Sequence, residues 1–325
     1  MSSVPTSAAK PTADGRKIAF HSPVLRRRHF APRYWSTWLS LGLLRVFAFA
    51  PLPVSRALGG ALGFLMYAFN VKRRRVVRIN LRLCFPDLGE DERERLVRRY
   101  YWLYGQSFTD VAHLAWSAKW RLRRMLHLRG IERYRELQQQ GRTVILLMPH
   151  FVGLNFAGSM LAGEYPTFSI AKSMRNEVLD WYITRARQRF GGAVLTREQG
   201  LRPVVHALRQ GQTFYYLPDE DLGAARSVFL PFFGIPAATL PTLGRLAELT
   251  DAVVIPTFVR LLGFARGYEV IFRPPLERFP SGDELKDATH MNHVFEEAIR
   301  MMPEQYMWTL KVFRTRPNNE PSLYA

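Results

Sequence analysis

The sequence of 325 residues is short of cysteine, of acidic residues and of uninterrupted apolar spans. Its single cysteine, Cys84, can form neither an internal disulfide nor a cysteine-based metal site. A chain built without such bridges suits a reducing compartment, and Cys84 reads as a small buried hydrophobe. No serine sits in a G-x-S-x-G elbow, which removes that route to an acyl-serine intermediate. His113, His127, His206, His290 and His293 show no spacing that assembles a metal site, although His290 and His293 lie three apart on a helical stretch. Zinc-finger, helix-turn-helix and aromatic–basic sheet patterns are missing too, so nucleic-acid binding would rest on charge alone. Neither a metal nor a cofactor is expected.

The charge is nevertheless large. Lys and Arg number 46 against 27 Asp and Glu, a formal net charge of +19. Such an excess calls for an anionic partner: nucleic acid, an acidic membrane face, or an acidic protein or substrate. It is concentrated in "VLRRRHFAPR" (24–33) and "VKRRRVVRINLR" (71–82). Between them, 34–70 carries only Arg45 and Arg56 as charges and opens on Tyr34, Trp35 and Trp38, the aromatic type of membrane interfaces. Pro51 and Pro53 divide this stretch into halves shorter than the roughly 20 residues of a full span. It reads as one tilted span, a helical hairpin that dips in and returns, or a surface-lying pair; a buried helical pair of a soluble core competes. Basic clusters at both ends favour the hairpin or the surface pair, which keep both clusters on one side. Arg45 then has to snorkel or face protein. Arginines beside an apolar anchor fit attraction to anionic lipid.

Along the chain, 1–22 is Ser-, Ala-, Pro- and Lys-rich and reads as a disordered tail without a clear signal-peptide cleavage site. The basic flank and anchor follow over 23–71, a catalytic domain over 72–317 and a C-terminal tail over 318–325. Helical patterning runs through 87–116 and "IERYRELQQQGR", closed by Gly141. From residue 143 short strands alternate with helices. "TVILLM", "TFSIAK", "GAVLT", "TFYYLP", "VVIPTFVRLL" and "YEVIFRPPL" read as strands. "GLNFAGSMLAG", "NEVLDWYITRARQRFG", "LRPVVHALRQG", "TLPTLGRLAELTDA" and "DATHMNHVFEEAIRMMP" read as helices. This order predicts an α/β fold with a mostly parallel sheet flanked by helices. Its ligand should sit beyond the carboxyl ends of the strands.

His150 falls at such an end, in "LLMPHFVGLN". Its ordinary pKa of about 6.5 suits general-base work near neutral pH. A base of this kind needs a group to hold its tautomer, and Asn155, in the first turns of the next helix, can fold back to the ring. Elsewhere, Arg175 and Asn176 lie between a strand and a helix, where an arginine fork could grip phosphate and the asparagine could instead cap the helix. Asp219 and Asp221 follow a strand; a carboxylate metal pair is conceivable there, and ordering of the loop around Arg226 is favoured. "FLPFFG" reads as an apolar wall for acyl chains or membrane. Glu304, Tyr306 and Trp308 read as structural supports.

Several longer stretches resemble the late acyltransferases of lipid A biosynthesis, the lauroyl/myristoyl transferase family. They are "PRYWSTW", "RINLRLCFPDL", "MPHFVGLN", "RNEVLDWYITRARQRFG", "YYLPDEDLGAARSVFLPFFGIPAATLPT" and "PEQYMWTLKVFRTRP". Together they span about 34 to 317. The resemblance implies a glycerophosphate-acyltransferase-like fold with a membrane-anchoring N-terminus at the inner membrane and a catalytic domain on the cytoplasmic side. It implies an acyl-carrier-protein thioester as donor and, as acceptor, a hydroxyl on an acylated, anionic lipid A precursor. His150 matches the family's histidine and serves as general base, taking the acceptor proton for direct transfer. Arg175, Arg226 or amides near Gly153 would steady the oxyanion. Arg175, Asn176, Asp219, Asp221, Arg226 and Lys311 become candidate substrate contacts. The sequence departs from the family pattern at two places. Asn155 stands where the family has Asp or Glu after four intervening residues, and "TLK" follows "YMW" where the family often carries a His-Arg or His-Lys pair, leaving Lys311 as the only base of that triplet. An asparagine can orient the ring but cannot neutralise imidazolium. That leaves open an acyltransferase acting on another lipid, or an impaired binder of lipid or carrier protein.

Overall fold

The structure is a computed structural model and describes residues 18–263 and 266–325. In chain order its elements are α1 (Trp35–Phe49), α2 (Leu52–Phe69), α3 (Val71–Cys84), α4 (Glu90–Trp116), α5 (Lys119–Arg123), β1 (Leu126–Arg129), α6 (Glu132–Gln139), β2 (Val144–Leu147), α7 (Leu154–Leu161) and β3 (Thr167–Ala171). There follow α8 (Glu177–Gln188), β4 (Ala193–Thr196), α9 (Arg202–Arg209), β5 (Thr213–Tyr216), β6 (Val228–Phe232), β7 (Ile235–Thr239), α10 (Thr242–Thr250), β8 (Val253–Leu261), β9 (Tyr268–Phe272) and α11 (Glu284–Met301). Seven strands form one sheet in the order β1-β9-β8-β2-β5-β3-β4. Every pairing in it is parallel except β8 with β9. The expected α/β class, a mostly parallel sheet with helices against it, is the architecture found.

Central strand β2, Val-Ile-Leu-Leu, is buried at all four positions, as a strand covered on both faces must be. Ile145 and Leu147 join one core with α9, α10 and α11; Val144 and Leu146 join the other with α6 and α7. Cys84 is buried in the first of these cores, and burial pushes its thiol pKa up.

Three strands, two of them joined by a hairpin turn, escape the sequence patterns. Edge strand β1, Leu-His-Leu-Arg, alternates half-buried with exposed positions, too short and too charged to stand out. β6 and β7 form a separate antiparallel pair in which Pro231 faces Pro236. Proline disfavours a strand reading, but in a two-stranded ribbon an unpaired edge tolerates it. Phe233 (φ 51°) and Gly234 (φ 75°) make the turn, the two positive φ values of a tight I′ hairpin. Of the apolar wall expected at "FLPFFG", Phe232 and Phe233 are buried core side chains, with Phe233 donating its N–H to Glu296, while Phe229 and Leu230 are half-buried.

The apolar stretch 34–70 forms a helical hairpin, α1 and α2, docked on the body. α2 lies against α4 through Gly59, Gly60 and Gly63, and Gly105 answers from α4. A Cβ on Gly63 would come within 1.9 Å of the Tyr101 carbonyl oxygen, and one on Gly105 within 2.2 Å of the Gly59 carbonyl oxygen. Such approach needs small residues on both helices. Arg56 is buried, with Nη1 2.7 Å from Asp110 Oδ1. Arg45 is exposed, with its guanidinium 6.0 Å from the centroid of the Trp116 ring, so of the two arginines of the stretch only Arg56 is enclosed by protein. The outer faces are exposed and apolar: Trp35, Leu39, Leu43 and Val46 on α1, Leu58, Leu62 and Leu65 on α2. Among the described helices α2 alone is long and apolar enough to cross a membrane by length and composition.

Both ends of the described chain meet the body. Residues 1–17 lie outside the described residues, but 18–22, counted above in the tail, run along the sheet edge. The His21 N–H donates to Val194 O at 2.7 Å, and Ile18 and Phe20 pack on the core. At the other end, Tyr324 is buried; its hydroxyl donates to Asn80 Oδ1 at 2.5 Å and accepts from the Phe313 N–H. Segment 318–325 is therefore part of the fold.

Candidate active site

β2 and β5 are parallel neighbours with Leu147 level with Tyr216. The third residue beyond each end is thus set side by side: His150 beyond β2 and Asp219 beyond β5. Asp219 uses both oxygens on this one residue. Oδ2 accepts the His150 backbone N–H at 2.7 Å and Oδ1 lies 2.6 Å from Nδ1. A nearly buried carboxylate there makes Nδ1 the protonated nitrogen and leaves Nε2 with a free lone pair.

The turn carrying His150 is clamped from behind. His150 O accepts the Met307 N–H, Val152 donates to Gln305 O, and Phe151 bridges to Tyr306. Tyr306 is fully buried, and its hydroxyl lies beside Asp219 without the geometry of a full hydrogen bond. Burial first, and that carboxylate second, hold the phenol proton well above its ordinary range. Trp308 packs edge-on to Tyr306 with centroids 4.9 Å apart and donates Nε1–H to Pro303 O. Glu304 reaches outward to Arg99 at 3.7 Å.

On the open side, Nε2 lies 3.5 Å from Glu220 Oε1, and the other Glu220 oxygen accepts from Arg197 at 2.5 Å. Burial alone would depress the imidazole pKa. The charge and hydrogen bond of Asp219, with Glu220 adding to them, outweigh it and raise the pKa above 6.5. The ring is therefore a stronger base than free histidine, with carboxylates on both sides to receive the charge of imidazolium.

A cavity of about 290 Å³ opens from this edge along β3, between α7 and α8. His150, Asn155, Lys172, Arg187, Arg197 and Glu220 supply its polar wall, and Leu154, Ile170, Met174 and Tyr215 part of its apolar wall. Asn155 lines it but is not the partner of His150. Its Oδ1 accepts from Arg187 Nε at 3.0 Å and Nη2 at 2.8 Å. The reason is geometric: the helix carrying Asn155 turns this side chain toward α8, while the ring's own carboxylate arrives from β5. Arg187 is half-buried and burial lowers its pKa, with Asp180 opposing. A neutral amide therefore holds a cation whose charge it does not cancel.

The remaining candidates fall elsewhere. Asn176 caps α8: Oδ1 accepts from Val178 and Leu179, and Nδ2 donates to Thr37 Oγ1. Asp221 ties its loop to the C-terminal segment by accepting from Gly223 N and from Thr315 N and Oγ1; the loop it orders is not centred on Arg226. Arg175 and Arg226 are exposed and do not line the cavity. Lys311 lies over the Tyr324 ring at 5.4 Å. Of the predicted contacts, Asp219 alone meets His150. Lys172, Arg187, Arg197 and Glu220 were missed. Arg197 and Glu220 follow the ends of β4 and β5, so the strand-end rule that singled out His150 would have found them. Arg187 lies in the last turn of α8, follows no strand end and leaves no local signal. Among the described residues no group of three or more His, Cys, Asp or Glu side chains could hold a metal.

A histidine steadied by a carboxylate at the carboxyl edge of a parallel sheet, above a cation-lined cavity, has the parts of a base-assisted group-transfer site for an anionic substrate. The profile of the bacterial lipid A biosynthesis acyltransferases matches residues 25–315, and the chain belongs to that family. It is 35% identical over 293 residues to a lipid A biosynthesis acyltransferase of Haemophilus influenzae, covering 90% of this chain and 92% of that one. It is 35% identical to the Escherichia coli lipid A biosynthesis lauroyltransferase, covering 90% and 96%. It is 33% identical to the palmitoleoyltransferase of the same organism, covering 92% and 97%. The chain is an acyltransferase of lipid A biosynthesis.

Proposed function

We propose that the protein moves a fatty acyl group from an acyl-carrier-protein thioester to a hydroxyl of an acylated lipid A precursor, with His150 as general base. The observation that carries this reading is the His150–Asp219 pair, 2.6 Å apart, facing the cavity. Asp219 holds Nδ1–H, so Nε2 is free to take the acceptor's hydroxyl proton. The resulting alkoxide attacks the thioester carbonyl, the carbon–sulfur bond breaks, and imidazolium returns the proton to the thiolate. Arg187 and Arg197, rather than Arg175 or Arg226, are the cations placed to steady the developing oxyanion or the acceptor's phosphates. The test is transfer from acyl-carrier protein to a lipid A precursor, followed by mass spectrometry of the product. A folded protein that leaves the precursor unchanged overturns the reading.

Asn155→Asp separates this arrangement from one in which residue 155 orients the base. A carboxylate there pairs with Arg187 and cancels its charge. The pH midpoint of transfer then moves by less than about half a unit, while KM for the phosphorylated acceptor rises about 5- to 10-fold. An alkaline shift of a whole unit with faster transfer would instead make residue 155 the partner of His150.

The exposed apolar faces of α1 and α2, between basic clusters, support attachment to the inner membrane with the catalytic domain on the cytoplasmic side. The full chain should sediment with membranes. Removing 1–71 should leave an aggregate, because it strips α2 from the buried face of α4. A full-length chain that is monodisperse without detergent would contradict this.

A further inference from the structure

A second concavity, about 920 Å³, lies between α9 and α10 and is lined by Arg202, Arg209 and Arg245. All three are exposed. Arg209 donates to Leu249 O at 3.0 Å; Arg202 and Arg245 have no carboxylate partner among the described residues. Glu284 is the one carboxylate among the described residues lining the groove. Its apolar floor includes Pro203, Val205 and Leu246, and Leu201 and Leu249 stand exposed at its edge. Apolar floor and cationic rim fit an amphipathic helix with acidic flanks.

Two features decide what that helix belongs to. First, α9 and α10 cover the sheet face that takes Ile145 and Leu147. α1 packs with Val178 and Tyr182 of α8, on the other side. A membrane meeting the apolar face of α1 would leave the groove open to solvent. Second, the groove and the active-site cavity share one structural wall. Residues Arg197–Gln199 form a single 3₁₀ turn; Arg197 lines the cavity and Gln199 lines the groove. Such a turn rises only about 6 Å.

We infer that this groove is the docking surface for an acidic helix of the protein that carries the acyl donor, placed so that its thioester arm passes the 197–199 turn to reach His150. The inference rests on the donor proposed above. Electrostatic complementarity of this kind acts on encounter and affinity more than on the chemical step.

The test uses the full chain in detergent micelles and the double variant R202E/R245E, which removes no partner of a buried group. Transfer is measured from acyl-carrier protein and from the same acyl group on pantetheine alone. Binding of the acyl-carrier protein is measured separately by fluorescence anisotropy. The double variant should raise KM for the carrier-borne donor at least about 10-fold, leave KM for acyl-pantetheine unchanged, and weaken carrier binding equally. Unchanged carrier binding in the variant overturns the inference. So does an equal loss with both donors, which would place the arginines' effect in the active site. Loss of binding to anionic vesicles with carrier binding intact would make the groove a lipid site. Carrier binding that depends on the arginines in a protein that transfers from neither donor would uphold the groove and overturn the proposed reaction.

Discussion

Asp219→Asn should lower the rate constant for acyl transfer about 10³- to 10⁴-fold with the fold retained. The corresponding change in a serine protease triad costs about 10⁴, largely through the wrong tautomer. Here the demand on the carboxylate is heavier, because Asp219 accepts both the backbone N–H and the Nδ1–H of His150. An asparagine offers one oxygen and one NH₂, so one of these donors faces a donor. His150→Ala should cost about 10²- to 10⁴-fold. The double variant should be no worse than the poorer single one, since the pair acts as a unit. The pH profile gives an independent sign. A base works only when deprotonated, so wild-type transfer rises with pH through a midpoint above 6.5, the direction in which Asp219 and Glu220 shift the imidazole. Without the Asp219 charge, burial is opposed only by Glu220, and the midpoint moves toward acid. Transfer by a folded Asp219→Asn protein at the wild-type rate and midpoint would remove the carboxylate from the mechanism.

How much of this was legible in the sequence depends on whether the signal is local. The β2 strand, the His150 turn and the helix after it are consecutive, and the apolar run ending in Pro-His displays them. The pairing of His150 with Asp219 is 69 residues long in sequence and depends on which strand neighbours β2. Strand order is set by tertiary packing, so the nearer Asn155 looked like the partner. The same limit hid Arg187, 32 residues from Asn155, whereas Arg197 and Glu220 at strand ends were within reach of the rule already applied. At the N-terminus, composition showed an apolar stretch with two arginines but could not show that Arg56 meets Asp110. Nor could it show that glycines spaced along 59–63 make a contact surface rather than merely weaken a helix.

That contact surface yields the second large effect. Gly105→Val should unseat α2 from α4 and cost about 3 kcal/mol or more. Even the first carbon of the new side chain would stand 2.2 Å from Gly59 O, 2.3 Å from Gly63 N and 2.5 Å from Gly63 Cα. These are backbone atoms of a regular helix and cannot swing aside, so the whole of α2 has to move outward. Moving it stretches the ion pair of Arg56 with Asp110. Burial already raises the Asp110 pKa to about 6 against the pull of Arg56, so a carboxylate separated from its partner in place is costly. Gly42 of α1 is the control, because a Cβ there meets nothing within 4 Å. Gly42→Ala should stabilise α1 by about 0.5–1 kcal/mol through backbone entropy alone. Thermal unfolding of the full chain in micelles reads both. With about 2–4 °C per kcal/mol for a protein of this size, Gly105→Val should lower Tm by about 6–12 °C and Gly42→Ala should raise it by a few degrees at most. If Gly105→Val melts within about 2 °C of wild type, α2 is not seated on α4 through these glycines, and the apolar hairpin is free to leave the body and enter the membrane as an independent anchor.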